Sequence, residues 1–170
     1  PAGVPKALFL GAIEKMAPGE SEYVREIAAA PGNALEKFKH FMPATMHRFE
    51  APADLFHMAR IAATLVEDCG PCALTAAEGA VRDGVDSALV NSALAAEPPE
   101  GDLKLAFVFG AAIARQSAEA FVLGDAIEEA HGRTVRLELA MAAATVRAYP
   151  AMKRGLGLSR ACSLTPLWVG

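Results

Sequence analysis

The chain has 170 residues, with 16 Lys and Arg against 20 Asp and Glu and a formal charge of −4. That length suits a single domain. With 53% hydrophobic and 21% charged residues an intrinsically disordered chain is excluded, and the acidic balance argues against a nucleic-acid binder, which presents a basic stripe. Alanine, the strongest intrinsic helix former, fills 37 positions, so a single all-α domain is expected over residues 1–170.

Pro and Gly cut the sequence into short pieces without a long linker, at Pro18-Gly19, Pro31-Gly32, Pro52, Gly70-Pro71, Pro98-Pro99 and Gly132 among others. No stretch alternates with period two, so no strand is predicted. Residues 6–30 and 33–47 read as helices, the second opening on Asn33 and Glu36 at the spacing of a capping box. Residues 52–66 form the clearest amphipathic pattern: Leu55, Met58, Ile61, Ala62 and Leu65 make an apolar stripe, opposite the polar series His57, Arg60, Thr64 and Glu67. After a break at 68–71, a helix over about 72–82 places Cys72, Thr75, Ala76 and Gly79 on one face. Asp86 is placed to cap a further helix that ends near Ala96.

Residues 103–114 are apolar almost all round, the mark of a helix buried on every side, and Gly110 in their middle implies a close helix crossing. Helices over 118–130 and 134–148 follow, separated by Gly132 as a C-cap. Arg147, Lys153, Arg154 and Arg160 read as a solvated helix end. The tail 164–170 carries the only Trp and is expected to pack against another surface.

No apolar run reaches the roughly 18–20 residues of a membrane span. The run from Leu105 stops at Arg115-Gln116, and the apolar stretch after Lys6 meets Glu14-Lys15 without a small-residue cleavage site. Neither a membrane segment nor a signal peptide is expected, and a cytoplasmic location follows by elimination.

The chemistry lies in Cys69-Gly70-Pro71-Cys72. Backbone N–H groups and the positive end of the dipole at a helix start stabilise a thiolate. Spacing of i, i+3 puts both sulfurs on one face, close enough to form a disulfide. One thiol can then attack an oxidised substrate while the other resolves the product. Three other readings compete. A zinc site needs two more ligands at characteristic spacing, and no second C-x-x-C or H-x-x-x-H is present. Two inert buried cysteines suit Ala-rich helices. A thioredoxin-like fold needs a strand leading into the motif, whereas the preceding residues have a 3.6 period. The redox pair is the reading preferred.

An amphipathic helix, the break Glu67-Asp68-Cys69-Gly70-Pro71-Cys72, an Ala-rich helix with Gly79 and then several more helices resemble the AhpD-like/carboxymuconolactone decarboxylase family. The likeness covers about residues 50–160, including Ala148-Tyr149-Pro150 and the run to Leu156-Gly157. It implies an AhpD-like helical bundle, a homo-oligomer (trimer or hexamer) and no cofactor. It also implies thiol-dependent reduction of a small organic peroxide, with a thiol or dithiol reductant, often a protein, to recycle the pair. The chain departs from the family pattern at three places. His57 stands where the family has a Glu twelve residues before the first Cys, Pro71 replaces an aromatic residue, and Ala76 replaces a His four residues after the second Cys. The candidate catalytic residues are therefore Cys69, Cys72, His57 as a base and Glu67 as a proton shuttle; no metal or cofactor ligand is assigned. The competing expectations are a helical oligomer that has lost the peroxidase relay and a lactone decarboxylase-like enzyme, which does not depend on a C-x-x-C.

Overall fold

Proline and glycine set the boundaries in a chain otherwise made of good helix formers. The computed structural model describes residues 3–16 and 21–158, and among them it holds helices and turns without a strand, an all-α fold. The helices are α1 (Lys6–Met16), α2 (Glu22–Ala29), α3 (Ala34–Phe41), a short 3-10 helix (Met42–Met46), α4 (Ala53–Val66), α5 (Gly70–Arg82), α6 (Ser87–Leu94), α7 (Asp102–Arg115), α8 (Glu119–His131), α9 (Arg133–Val146) and α10 (Ala148–Gly155). Arg160, Cys162 and the Trp-bearing tail lie outside the described residues.

Several local expectations need correction. The stretch 6–30 is two helices rather than one. The stretch 33–47 tightens into the 3-10 turn after Phe41, where Pro43 cannot donate a helical hydrogen bond. No capping box forms at Asn33: its backbone is left-handed at φ 59°, away from the extended conformation an N-cap needs, and it makes no side-chain cap bond. Glu36 pairs instead with Lys39 at 2.6 Å. Residues 148–155, not singled out as a helix, form α10, with Pro150 tolerated in its first turn. The cap at Asp86 is present, its carboxylate accepting from the Ala88 N–H at 2.7 Å and the Leu89 N–H at 3.4 Å.

α4 runs through the centre, packed most extensively against α7 and then against α9 and α5. Its apolar stripe joins Phe109, Ile127 and Leu139 in the main core. The polar side expected from its pattern does not face water, since His57, Arg60, Thr64 and Glu67 are all buried. Gly110 lies directly on the α4 backbone, and a Cβ there would come within 2.2 Å of the Ala59 carbonyl oxygen. A second core, built by Phe9, Ile13, Val24, Leu35 and Phe38 of α1–α3, is completed by Tyr149 and Met152 of α10. Among the described residues no helix is long and apolar enough to cross a membrane.

Candidate functional site: the Cys69–Cys72 pair and its cavity

The chain must turn sharply between α4 and α5, and the sequence supplies the residues to do so. Asp68 adopts a left-handed backbone at φ 50°, a conformation that Asp tolerates better than most residues. Cys69 is the N-cap of α5, and Gly70 and Pro71 fill its first positions. Helix α5 therefore starts two residues before the predicted position, because a proline in the first turn forfeits no needed hydrogen bond. Cys72 falls in that first turn. The two cysteines pair as a disulfide, with Cα atoms 5.3 Å apart. They differ in access: Cys69 is buried, whereas Cys72 is half-buried and lines a cavity of about 430 Å³. The cavity lining includes the apolar Ile13, Met42 and Val146 and the polar Arg60, Tyr149 and Lys153.

The basic run expected to be a solvated helix end is instead part of this site. Lys153 of α10 is buried at 7% exposure, with Nζ 3.5 Å from Cys72 Sγ and 5.6 Å from the Tyr23 ring centroid. Arg147 Nε donates to Glu67 Oε1 at 2.5 Å. Arg154 donates to the Glu67 carbonyl at 2.8 Å and also to its second carboxylate oxygen. Glu67 is thus held by two arginines rather than solvated, while Asp68 is exposed. Burial acts to raise the Glu67 pKa, but the hydrogen bonds and charges of Arg154 and Arg147 outweigh it and hold the carboxyl below the usual range.

His57 is fully buried and is not part of the cavity wall. Its Nε2 lies 3.1 Å from Asp83 Oδ2, and that oxygen also accepts from Arg48 Nη2 at 2.9 Å. His57 Nδ1 has no hydrogen-bond partner among the described residues. Burial, reinforced by the Arg60 charge, pushes the His57 pKa down to about 4 in spite of the Asp83 contact. Neutral imidazole then donates through Nε2 to the carboxylate. For Asp83, burial alone would raise the pKa, but bonds and charges from His57 and Arg48 hold it below the ordinary value.

A stability prediction follows from His57. An unfolded chain carries a histidine of ordinary pKa, about 6.5, so between that value and about 4 it binds more protons than the folded chain. This contribution is complete above pH 6.5 and is lost as the pH falls to 4, by up to about 3 kcal/mol. Urea midpoints measured every half pH unit should fall across this window for the native protein and fall less steeply for His57→Gln. Equal slopes in the two proteins would count against a neutral buried imidazole. Glu67 and Asp83 act lower on the scale, since their depressed pKa values cost stability only below the ordinary carboxylate range.

The structure thus brings Cys69 and Cys72 together, ties Glu67 to the arginines of α9 and α10, and sets His57 behind Asp83. Lys153, Arg60, Asp83 and Tyr149 are the site residues that sequence reasoning missed. Arg60 stood on the polar side of α4 and Lys153 in a basic run within the family-like stretch, but neither position revealed a cavity. Among the described residues no group of three or more His, Cys, Asp and Glu is placed to hold a metal ion. Compared with known proteins, the chain matches no family model, no curated protein and no solved structure.

Proposed function

We propose that the protein is an AhpD-like thiol-dependent reductase of organic hydroperoxides in which Cys72 attacks and Cys69 resolves. The observation that carries this reading is the unequal exposure of a paired C-x-x-C: only Cys72 borders the cavity, and a buried lysine touches its sulfur. In the reduced protein the Lys153 ammonium beside Cys72 stabilises the thiolate that forms when the thiol proton passes to water. The thiolate attacks the outer peroxide oxygen, the O–O bond breaks, and the departing alkoxide takes a proton from the ammonium, which regains one from water. Products are an alcohol and a Cys72 sulfenic acid. The Cys69 thiol then displaces water from that sulfur to form the disulfide, and an external dithiol reduces it by exchange. Lys153 thus stands in for the relay that His57, Pro71 and Ala76 lack. His57 and Glu67 hold the framework, Glu67 by fixing α10 and thereby Lys153.

The resemblance further implies a trimer or hexamer, and the exposed Phe121 and Val122 of α8 (73% and 72%) supply apolar surface for subunit contact. Steady-state consumption of cumene hydroperoxide with excess dithiothreitol tests the activity. Absence of turnover would overturn it and leave a helical protein whose cysteines only staple a turn. Lys153→Met should slow the reaction and move the acid limb of the kcat/KM profile up by about one pH unit, while Lys153→Arg restores part of the shift. An unmoved acid limb would remove Lys153 from the mechanism.

A further inference from the structure

The cavity wall contains a buried cation that bonds to no carboxylate among the described residues. Arg60 is 6% exposed. Among the described residues its Nη1 bonds to the thioether sulfur of Met46, a weak acceptor, and its guanidinium lies 5.7 Å from the Phe56 ring centroid. Arg60 Nε is buried with no hydrogen-bond partner among the described residues. The nearby carboxylates are otherwise engaged, Asp83 by Arg48 and His57, and Glu67 by Arg147 and Arg154. Asp83 attracts Arg60 from a distance without bonding to it, and a buried guanidinium without a bonded carboxylate on the wall of a cavity is available to a ligand. Burial pushes the Arg60 pKa down to about 10, and the group therefore stays charged at neutral pH.

We infer that the cavity takes its organic substrate as a carboxylate, the head held by Arg60 and the apolar body lying along Ile13, Met42 and Val146 toward Cys72. A guanidinium presents paired donors that match a carboxylate. Asp83, which also lines the cavity, disfavours a dianion, and the apolar lining residues suit a hydrocarbon chain. Applied to the proposed activity, and resting on that reading of Cys72, the substrate is the hydroperoxide of an aliphatic or fatty acid, and its reduction yields the hydroxy acid. Charge recognition far from the reacting oxygen also fixes the pose of the peroxide.

The test begins with binding, which needs no turnover. Calorimetry with decanoate and with decanol on the native protein should give at least about tenfold tighter binding of the carboxylate, the size expected of a charge-assisted pair. In Arg60→Gln the two affinities should come within about twofold, and Arg60→Lys should keep most of the preference. The same ranking should appear in kcat/KM for linoleic acid hydroperoxide against its methyl ester. Equal binding of decanoate and decanol by the native protein, or binding of neither, overturns the inference, as does a preference that survives Arg60→Gln. If Arg60→Gln does not fold, the native comparison and Arg60→Lys decide. A carboxylate preference without any peroxide consumption would overturn the proposed activity and leave the carboxylate site in place.

Discussion

Under the proposed mechanism Cys72→Ser should reduce the turnover of cumene hydroperoxide with excess dithiothreitol to the uncatalysed background, whereas Cys69→Ser should lose the disulfide route and turn over only as fast as dithiothreitol itself reduces the Cys72 sulfenic acid. Cys72→Ser lacks the sulfur that borders the cavity and reacts with no peroxide at all. Cys69→Ser keeps that sulfur and its lysine neighbour but has no second thiol to close the disulfide. In the absence of reductant it should therefore consume one equivalent of peroxide per chain and stop, leaving a sulfenic acid at Cys72 that dimedone captures. Dimedone labelling confined to Cys69 in Cys72→Ser would reverse the order of attack. Turnover retained in both variants would end the redox reading. The order rests on access rather than on helix position, because Cys69 at the N-cap is as near the helix start but is buried.

Gly110→Ala is expected to be the most damaging small substitution in the core. The added methyl would stand 2.2 Å from the Ala59 carbonyl oxygen and 2.7 Å from Ala59 Cα, so it meets backbone rather than a side chain that could turn aside. Relief requires α7 to move off α4 along the most extensive helix contact in the molecule. The cost should approach about 3 kcal/mol, the upper part of the usual range for overpacking, despite the gain in helix propensity of about 1 kcal/mol. The urea midpoint should drop with an unchanged slope. Gly11→Ala on α1 is the control: its Cβ would meet nothing within 4 Å, so propensity alone acts and stability should rise slightly. A midpoint for Gly110→Ala equal to that of the native protein would mean that the helices do not cross this closely.

The crossing at Gly110 illustrates what a sequence can express. A glycine inside an apolar helix has few uses other than close approach, so its local cost pointed to the contact. The Asp86 cap and the all-helical class were legible for the same reason, since neighbouring residues determine them. The C-x-x-C was legible as a redox candidate because its spacing is its chemistry. The environment of the sulfurs was not. Lys153 lies 81 positions from Cys72 and Arg147 lies 80 from Glu67, and no periodicity links such pairs. The polar series on α4 gave the signal of a solvated face, yet it is buried because its groups find partners inside: Asp83 for His57, two arginines for Glu67, the Arg60 carbonyl for Thr64, and for Arg60 itself the Met46 sulfur and the Phe56 ring. Composition cannot distinguish a charge in water from a charge neutralised by a distant residue.

The clamp on Glu67 also bears on when the cysteines become reactive. The bonds of Arg147 and Arg154 to Glu67 tie the start and end of α10 to the motif turn and, with the packing of Tyr149 and Met152 in the second core, seat the helix that carries Lys153. Both cysteines and the turn between them belong to α4, α5 and their junction, whereas Lys153 is carried by α10. With α10 detached, the sulfurs have no Lys153 beside them. Reactivity under the proposed mechanism thus belongs to the finished molecule: a nascent or partly unravelled chain carries the same two sulfurs unarmed.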